Sequence, residues 1–116
     1  MRSRSSVRVH RDVTRLTPSD AIARLEEVWA EPDGFFYRLR QGDYDSAGAA
    51  KVEDLLRSIH AGDGALPRRF VALTWLIPTF MEWQIERVGE HGGDTEDLRK
   101  AMTRLQNALD ALLGNP

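Results

Sequence analysis

Apolar residues in this chain recur every three to four positions, and no segment of useful length alternates apolar with polar. A period near 3.6 lines one face of a helix, whereas a period of two would line one face of a strand. The clearest case is Leu98, Met102, Leu105, Leu109 and Leu112, with steps of four and three, flanked by Ala101 and Ala108. This seam covers about two heptads, fewer than a coiled coil requires, so it points to packing within the chain. Val7-Arg8-Val9 and Val13 could extend into a short strand, but the rest of the chain offers it nothing to pair with. The periodicity predicts an all-α fold: a single-domain helical bundle of about five helices around a central, proline-kinked apolar helix.

Start and stop signals divide the chain accordingly. Thr17 is placed to cap a first helix with Pro18 at its first position, where the missing N–H costs nothing. Asp20 meets the positive end of that helix. Ile22, Leu25, Val28 and Trp29 form its stripe, and Pro32 ends it. Asp33 is the expected cap of a short second helix, Gly34 to Gln41, with Gly42 as a left-handed stop. The third is expected from Ser46 to Ala61, carrying Val52, Leu55, Leu56 and Ile59, with Gly62 beyond it. The fourth is expected from Pro67 to about Val88, with Gly89 after it. Its stretch Phe70 to Trp83 is apolar almost all round, the mark of a helix wrapped by its neighbours. Pro78 removes one backbone donor and clashes with the carbonyl of Thr74, so a kink, or two helices meeting near Ile77, is expected there. Asp94 or Thr95 caps the fifth helix, and Gly114 closes it.

A length of 116 residues fits one domain able to bury a core without staples. The chain has no cysteine, which excludes disulfides, thiolate nucleophiles and cysteine zinc sites. Met1 to Leu16 holds no apolar stretch that could form a signal-peptide core, and Phe70 to Trp83 is too short for a membrane span. The expectation is a cytoplasmic protein that does not enter a membrane. The net charge of −2 hides an asymmetry. Residues 1–16 carry five arginines against one aspartate, or +4, leaving 11 basic against 17 acidic residues, or −6, in 17–116. A basic and flexible N-terminal tail, 1–16, is thus expected before a helical bundle domain, 17–116. Any nucleic-acid contact falls to that tail, because an acidic body opposes a DNA footprint.

Five groups of residues are candidates for chemistry. Asp43, Asp45, Gly48 and Asp54 fall at the first, third, sixth and twelfth places of a calcium loop. Ala47 and Lys51 break that pattern, and aspartates before a helix are ordinary capping residues. Glu82, Glu86 and Glu90 repeat every fourth residue and form a candidate acidic face. His10, His60 and His91 are scattered, with no Glu-x-x-His or His-x-x-x-His spacing, so neither a metal nor a cofactor is expected. Arg68 and Arg69 after Pro67 form a candidate anion site, weighed against salt bridges to the acidic body. Phe35, Phe36 and Tyr37 cannot all face inward from one short helix. Tyr37 is therefore expected outside, with Tyr44 as a second candidate, beside Arg38 and Arg40. Tyrosine and arginine are enriched at interface hot spots, so Tyr37, Arg38, Arg40, Asp43, Tyr44 and Asp45 form the candidate partner-binding set. The serines lack a nucleophile-elbow setting, and the chain has no glycine-rich phosphate loop.

The expected function is a protein-binding module. Within that class stands a bacterial immunity or antidote type of protein docking on a basic partner, with homo-oligomerisation open. The alternative is a small enzyme or ligand-binding protein with an acidic pocket near the Pro78 kink, using Glu82, Glu86 or His91.

Overall fold

The computed structural model describes residues 15–62 and 64–114. The segments Val7–Val9 and Val13, and all of the basic tail but its last two residues, lie outside the described residues. The helices are α1 (Pro18–Ala30), α2 (Phe35–Arg40), α3 (Ser46–Arg57), α4 (Arg68–Thr74), α5 (Ile77–Trp83), α6 (Ile85–Glu90) and α7 (Thr95–Leu113). All five expected helical segments are present, the fourth divided into α4, α5 and α6. The fold is all-α. Among the described residues, the one extended contact is a parallel bridge between Leu16 and Ile59. No described helix is long and apolar enough to cross a membrane.

The caps follow local chemistry. The Thr17 hydroxyl accepts the Asp20 N–H at 3.0 Å, and the Asp94 carboxylate accepts the Asp97 N–H at 3.0 Å. Both satisfy a donor that the helix itself cannot. Asp33 does not cap α2. It takes a left-handed conformation (φ 63°), and Gly34 is the N-cap, without a side-chain bond. Helix α3 ends four residues before the expected Ala61. The bridge draws Ile59 out of helical register: the Leu16 N–H bonds the Ser58 carbonyl and the His60 N–H bonds the Leu16 carbonyl.

Two helix ends share one device. After α2, Gly42 (φ 88°) donates to the Leu39 carbonyl and Asp43 to the Arg38 carbonyl. After α6, Gly92 (φ 78°) donates to Gly89 and Gly93 to Val88 in the same way. Each pair is a Schellman motif, in which a left-handed glycine turns the chain back on the last carbonyls. Gly89, expected to follow the helix, lies inside α6, and the stop is Gly92.

Helix α4 ends at Thr74, four residues before Pro78, and α5 begins at Ile77 with the proline in its first turn, where no donor is needed. A second break at Gln84 has no proline or glycine behind it. There the Gln84 N–H bonds Met81, three residues back, and the tightened turn precedes α6, which packs on α7 through Val88.

The apolar faces gather into one core. Helix α7 receives α3, α5 and α6, while α1 receives α2 and α4. The α4–α6 segment is therefore central, joining the two groups through Phe70, Leu73, Ile77, Phe80, Met81 and Val88, all buried. An aromatic cluster ties α1 and α2 to α5. The Trp29 ring stacks on Phe36 at 4.1 Å between centroids, and both meet Phe80 edge-on. The Trp29 indole N–H donates to the Leu73 carbonyl at 2.8 Å, in the last turn of α4, where carbonyls lack helical donors. The expectation that neighbours wrap Phe70 to Trp83 on every side fails along one side, where Ala72, Trp75, Glu82 and Trp83 face solvent, the two indoles at 57% and 64% exposure.

Candidate functional site

The structure brings Tyr37, Arg38 and Asp43 to one cleft, with Asp45 bonded to Arg38, and places Arg40 and Tyr44 elsewhere. Phe35 and Phe36 face the core, so helical geometry turns Tyr37 outward, at 45% exposure. Tyr37 lines a shallow cleft of about 390 Å³ with Asp33, Arg38, Gln41 and Asp43. Arg38 is engaged within the fold. Its Nε donates to Asp43 Oδ2 at 2.8 Å and its Nη1 to Asp45 Oδ2 at 3.3 Å. Those bonds pin the loop between α2 and α3, and the Asp43 bond and charge raise the Arg38 pKa above its ordinary value. The Arg40 guanidinium lies 5.4 Å from the centre of the Phe80 ring, and its carbonyl accepts from Arg87.

Tyr44 is half-buried and engaged within the fold. It packs edge-on to Phe35, and its hydroxyl donates to Asp97 Oδ2 on α7 at 2.6 Å. Burial pushes the Tyr44 phenol above its ordinary value, and the bond and charge of Asp97 add to the shift. The unfolded chain therefore ionises this tyrosine first, and the stability it contributes is present below about pH 10 and lost as pH rises from there. The expected result is a melting temperature that falls above about pH 10 in the wild type and falls less steeply in Tyr44→Phe. Near neutral pH the same variant loses about 1 kcal/mol, read from thermal melts across the range. Equal alkaline slopes in the two proteins would show that the bond contributes nothing.

The calcium-loop spacing has a structural explanation. Helix α3 begins at Ser46, so Ala47, Lys51 and Asp54 ride on a regular helix and cannot converge on one ion. Gly48 serves packing: a Cβ there would stand 3.0 Å from the Phe35 ring. Among the described residues, no group of three or more His, Asp or Glu side chains is placed to hold a metal ion. Arg69 pairs with Glu26 at 2.9 Å, joining α4 to α1, and Arg68 is exposed. Glu53 joins α3 to α7, accepting Arg57 at 2.9 Å and Arg104 at 3.0 Å. The Arg57 bond, supported by Arg104 and opposed by burial, lowers the Glu53 pKa.

Glu82, Glu86 and Glu90 are all exposed, the first on α5 and the others on α6. Pro78 is buried in the core, and His91, exposed, lies 2.9 Å from the Arg87 carbonyl. The idea of an acidic pocket at the proline gains nothing from this arrangement. What residue-by-residue reading missed is Trp75 and Trp83. On a helical wheel the exposed residues Arg68, Ala72, Trp75, Glu82, Trp83, Glu86 and Glu90, with half-buried Thr79, fall within about 100°. The charged members of that stripe were the signal that both indoles share the water-facing side.

Set against protein-family models, curated proteins and solved structures, the chain matches none of them.

Proposed function

We propose that this protein is a protein-binding module, of an immunity or antidote type, that docks on a basic partner through the surface around Tyr37. The observation that carries the reading is Tyr37 itself, a large aromatic ring held in water at the rim of a cleft walled by Asp33 and Asp43. A tyrosine offers a broad apolar face at small entropic cost, and it recurs where interfaces concentrate their binding energy. Asp33 on the cleft, where Asp43 is paired with Arg38, and the −6 balance of residues 17–116 suit a partner with a cationic surface and speed the encounter at low salt. A protein that inhibits a nucleic-acid-directed toxin meets such a surface, because its target must carry a phosphate-binding cleft.

The test is a pull-down from the native host with the tagged full chain, beside a variant combining Asp33→Asn with Tyr37→Ala. Asparagine tolerates the left-handed backbone at position 33. Arg38 stays untouched, because removing it would release Asp43 and Asp45 and confuse binding with folding. The wild type is expected to retain a stoichiometric protein partner. The variant is expected to bind it about thirtyfold more weakly with an unchanged melt. Retention of no protein by the wild type, or equal binding by the variant, overturns the reading.

A further inference from the structure

The outward stripe of α4–α6 has an internal symmetry that the rest of the surface does not need. Trp75 and Trp83 stand four residues to either side of Thr79, Ala72 and Glu86 seven, and Arg68 and Glu90 eleven. All but the half-buried Thr79 are exposed. Turned through a two-fold axis at Thr79, the stripe therefore lays tryptophan on tryptophan and arginine on glutamate. We infer that this face binds a second copy of the same chain, antiparallel, with Thr79 on the axis.

Charge favours this occupant over another. Arg68 stands at one end of the stripe and Glu86 and Glu90 at the other, with exposed Glu82 beside Trp83 between them, so a second copy in the antiparallel sense matches both ends at once, and a parallel copy opposes like charges at each end. A uniformly basic partner would suit Glu82, Glu86 and Glu90 but meet Arg68 with repulsion. The area is consistent with a dimer. Two indoles at 57% and 64% exposure leave about 150 Å² each, so four supply about 600 Å². That is about half of the smallest stable interfaces, and the half-buried Val71 and Leu76 beside the stripe and the charged ends add to it. A face of this kind is isologous and closes at two subunits instead of growing into a fibre. It is separate from the Tyr37 cleft, so either surface can fail without the other.

The chain contains no cysteine, which permits a direct test. In the full chain, Thr79→Cys introduces a single thiol on the proposed axis, and Ala50→Cys places one on exposed α3 as a control. Mild oxidation is expected to give a covalent dimer rapidly from Thr79→Cys and slowly from Ala50→Cys, since a disulfide needs Cα atoms within about 7 Å. Sedimentation velocity is expected to show a concentration-dependent monomer–dimer equilibrium. The change Trp75→Ser should weaken it about thirtyfold, with the melt of the monomer unchanged. Arg68→Glu and Glu90→Arg should each weaken the dimer, and the two together should restore it. A wild-type chain that stays monomeric at hundreds of micromolar overturns the inference. So does equal cross-linking of the two cysteine variants, or a double charge reversal that fails to restore the dimer.

Discussion

Phe36→Ala is expected to lower stability by about 3–5 kcal/mol, because it empties the centre of the aromatic cluster. Phe36 has no exposed surface, and its ring is stacked under Trp29 and flanked by Phe80. Removing it forfeits the transfer energy of the ring and leaves a cavity that three helices would have to collapse to fill. With total stability for a domain of this size near 5–15 kcal/mol, the variant is expected to melt some 15–30 °C lower, or to be unfolded at 37 °C. The adjacent Tyr37→Ala should stay within about 0.5 kcal/mol of wild type. Thermal melts of the two variants side by side decide the matter. A loss below about 1 kcal/mol for Phe36→Ala would mean that the cluster does not hold α1, α2 and α5 together.

Gly42→Val carries the next largest expected effect, about 2–4 kcal/mol. A β-branched residue at φ 88° is strained wherever it lies. At this position the added Cβ would also stand 2.7 Å from His91 Nδ1 and 2.8 Å from Arg87 Cγ, where the turn after α2 packs against the end of α6. Gly92 makes the matching control. Its backbone is equally left-handed (φ 78°), but a Cβ there meets nothing within 4 Å. Gly92→Val should therefore lose only the conformational part, about 1–2 kcal/mol. Urea unfolding midpoints of the two variants separate strain from collision. Equal losses would mean that the two helix ends do not press on each other.

Reading the chain as a sequence recovered the helices wherever the deciding interaction was local. Thr17, Asp94, Gly42 and Pro78 act on backbone groups within four residues, and each does in the structure what its type requires. The same local logic misplaced the cap at Asp33 and the end of α3. At Asp33 a tight turn, with the Gly34 N–H on the Glu31 carbonyl, puts the residue in the left-handed region, and at α3 a distant partner intervened, Leu16 capturing the backbone on either side of Ile59. The candidate site was legible only in part. The outward turn of Tyr37 follows from two phenylalanines claiming the core, but Arg38 and Tyr44 look available in sequence. The structure spends the first on Asp43 and Asp45 and the second on Asp97, 53 residues away.

The sequence alone determined that this protein is helical, where most of its helices begin and stop, and that the long apolar segment kinks or breaks at Pro78. Those outcomes rest on hydrogen bonds and steric limits that span a single turn. Only the tertiary structure decided that the apolar segment bends a second time at Gln84 and that Trp29 reaches the Leu73 carbonyl. It also decided that Trp75 and Trp83 stay in water. An indole is apolar wherever it occurs, and whether it is covered depends on helices brought to it from elsewhere in the chain: α1 packs on α4 and α7 on α5, and the outward side is left open.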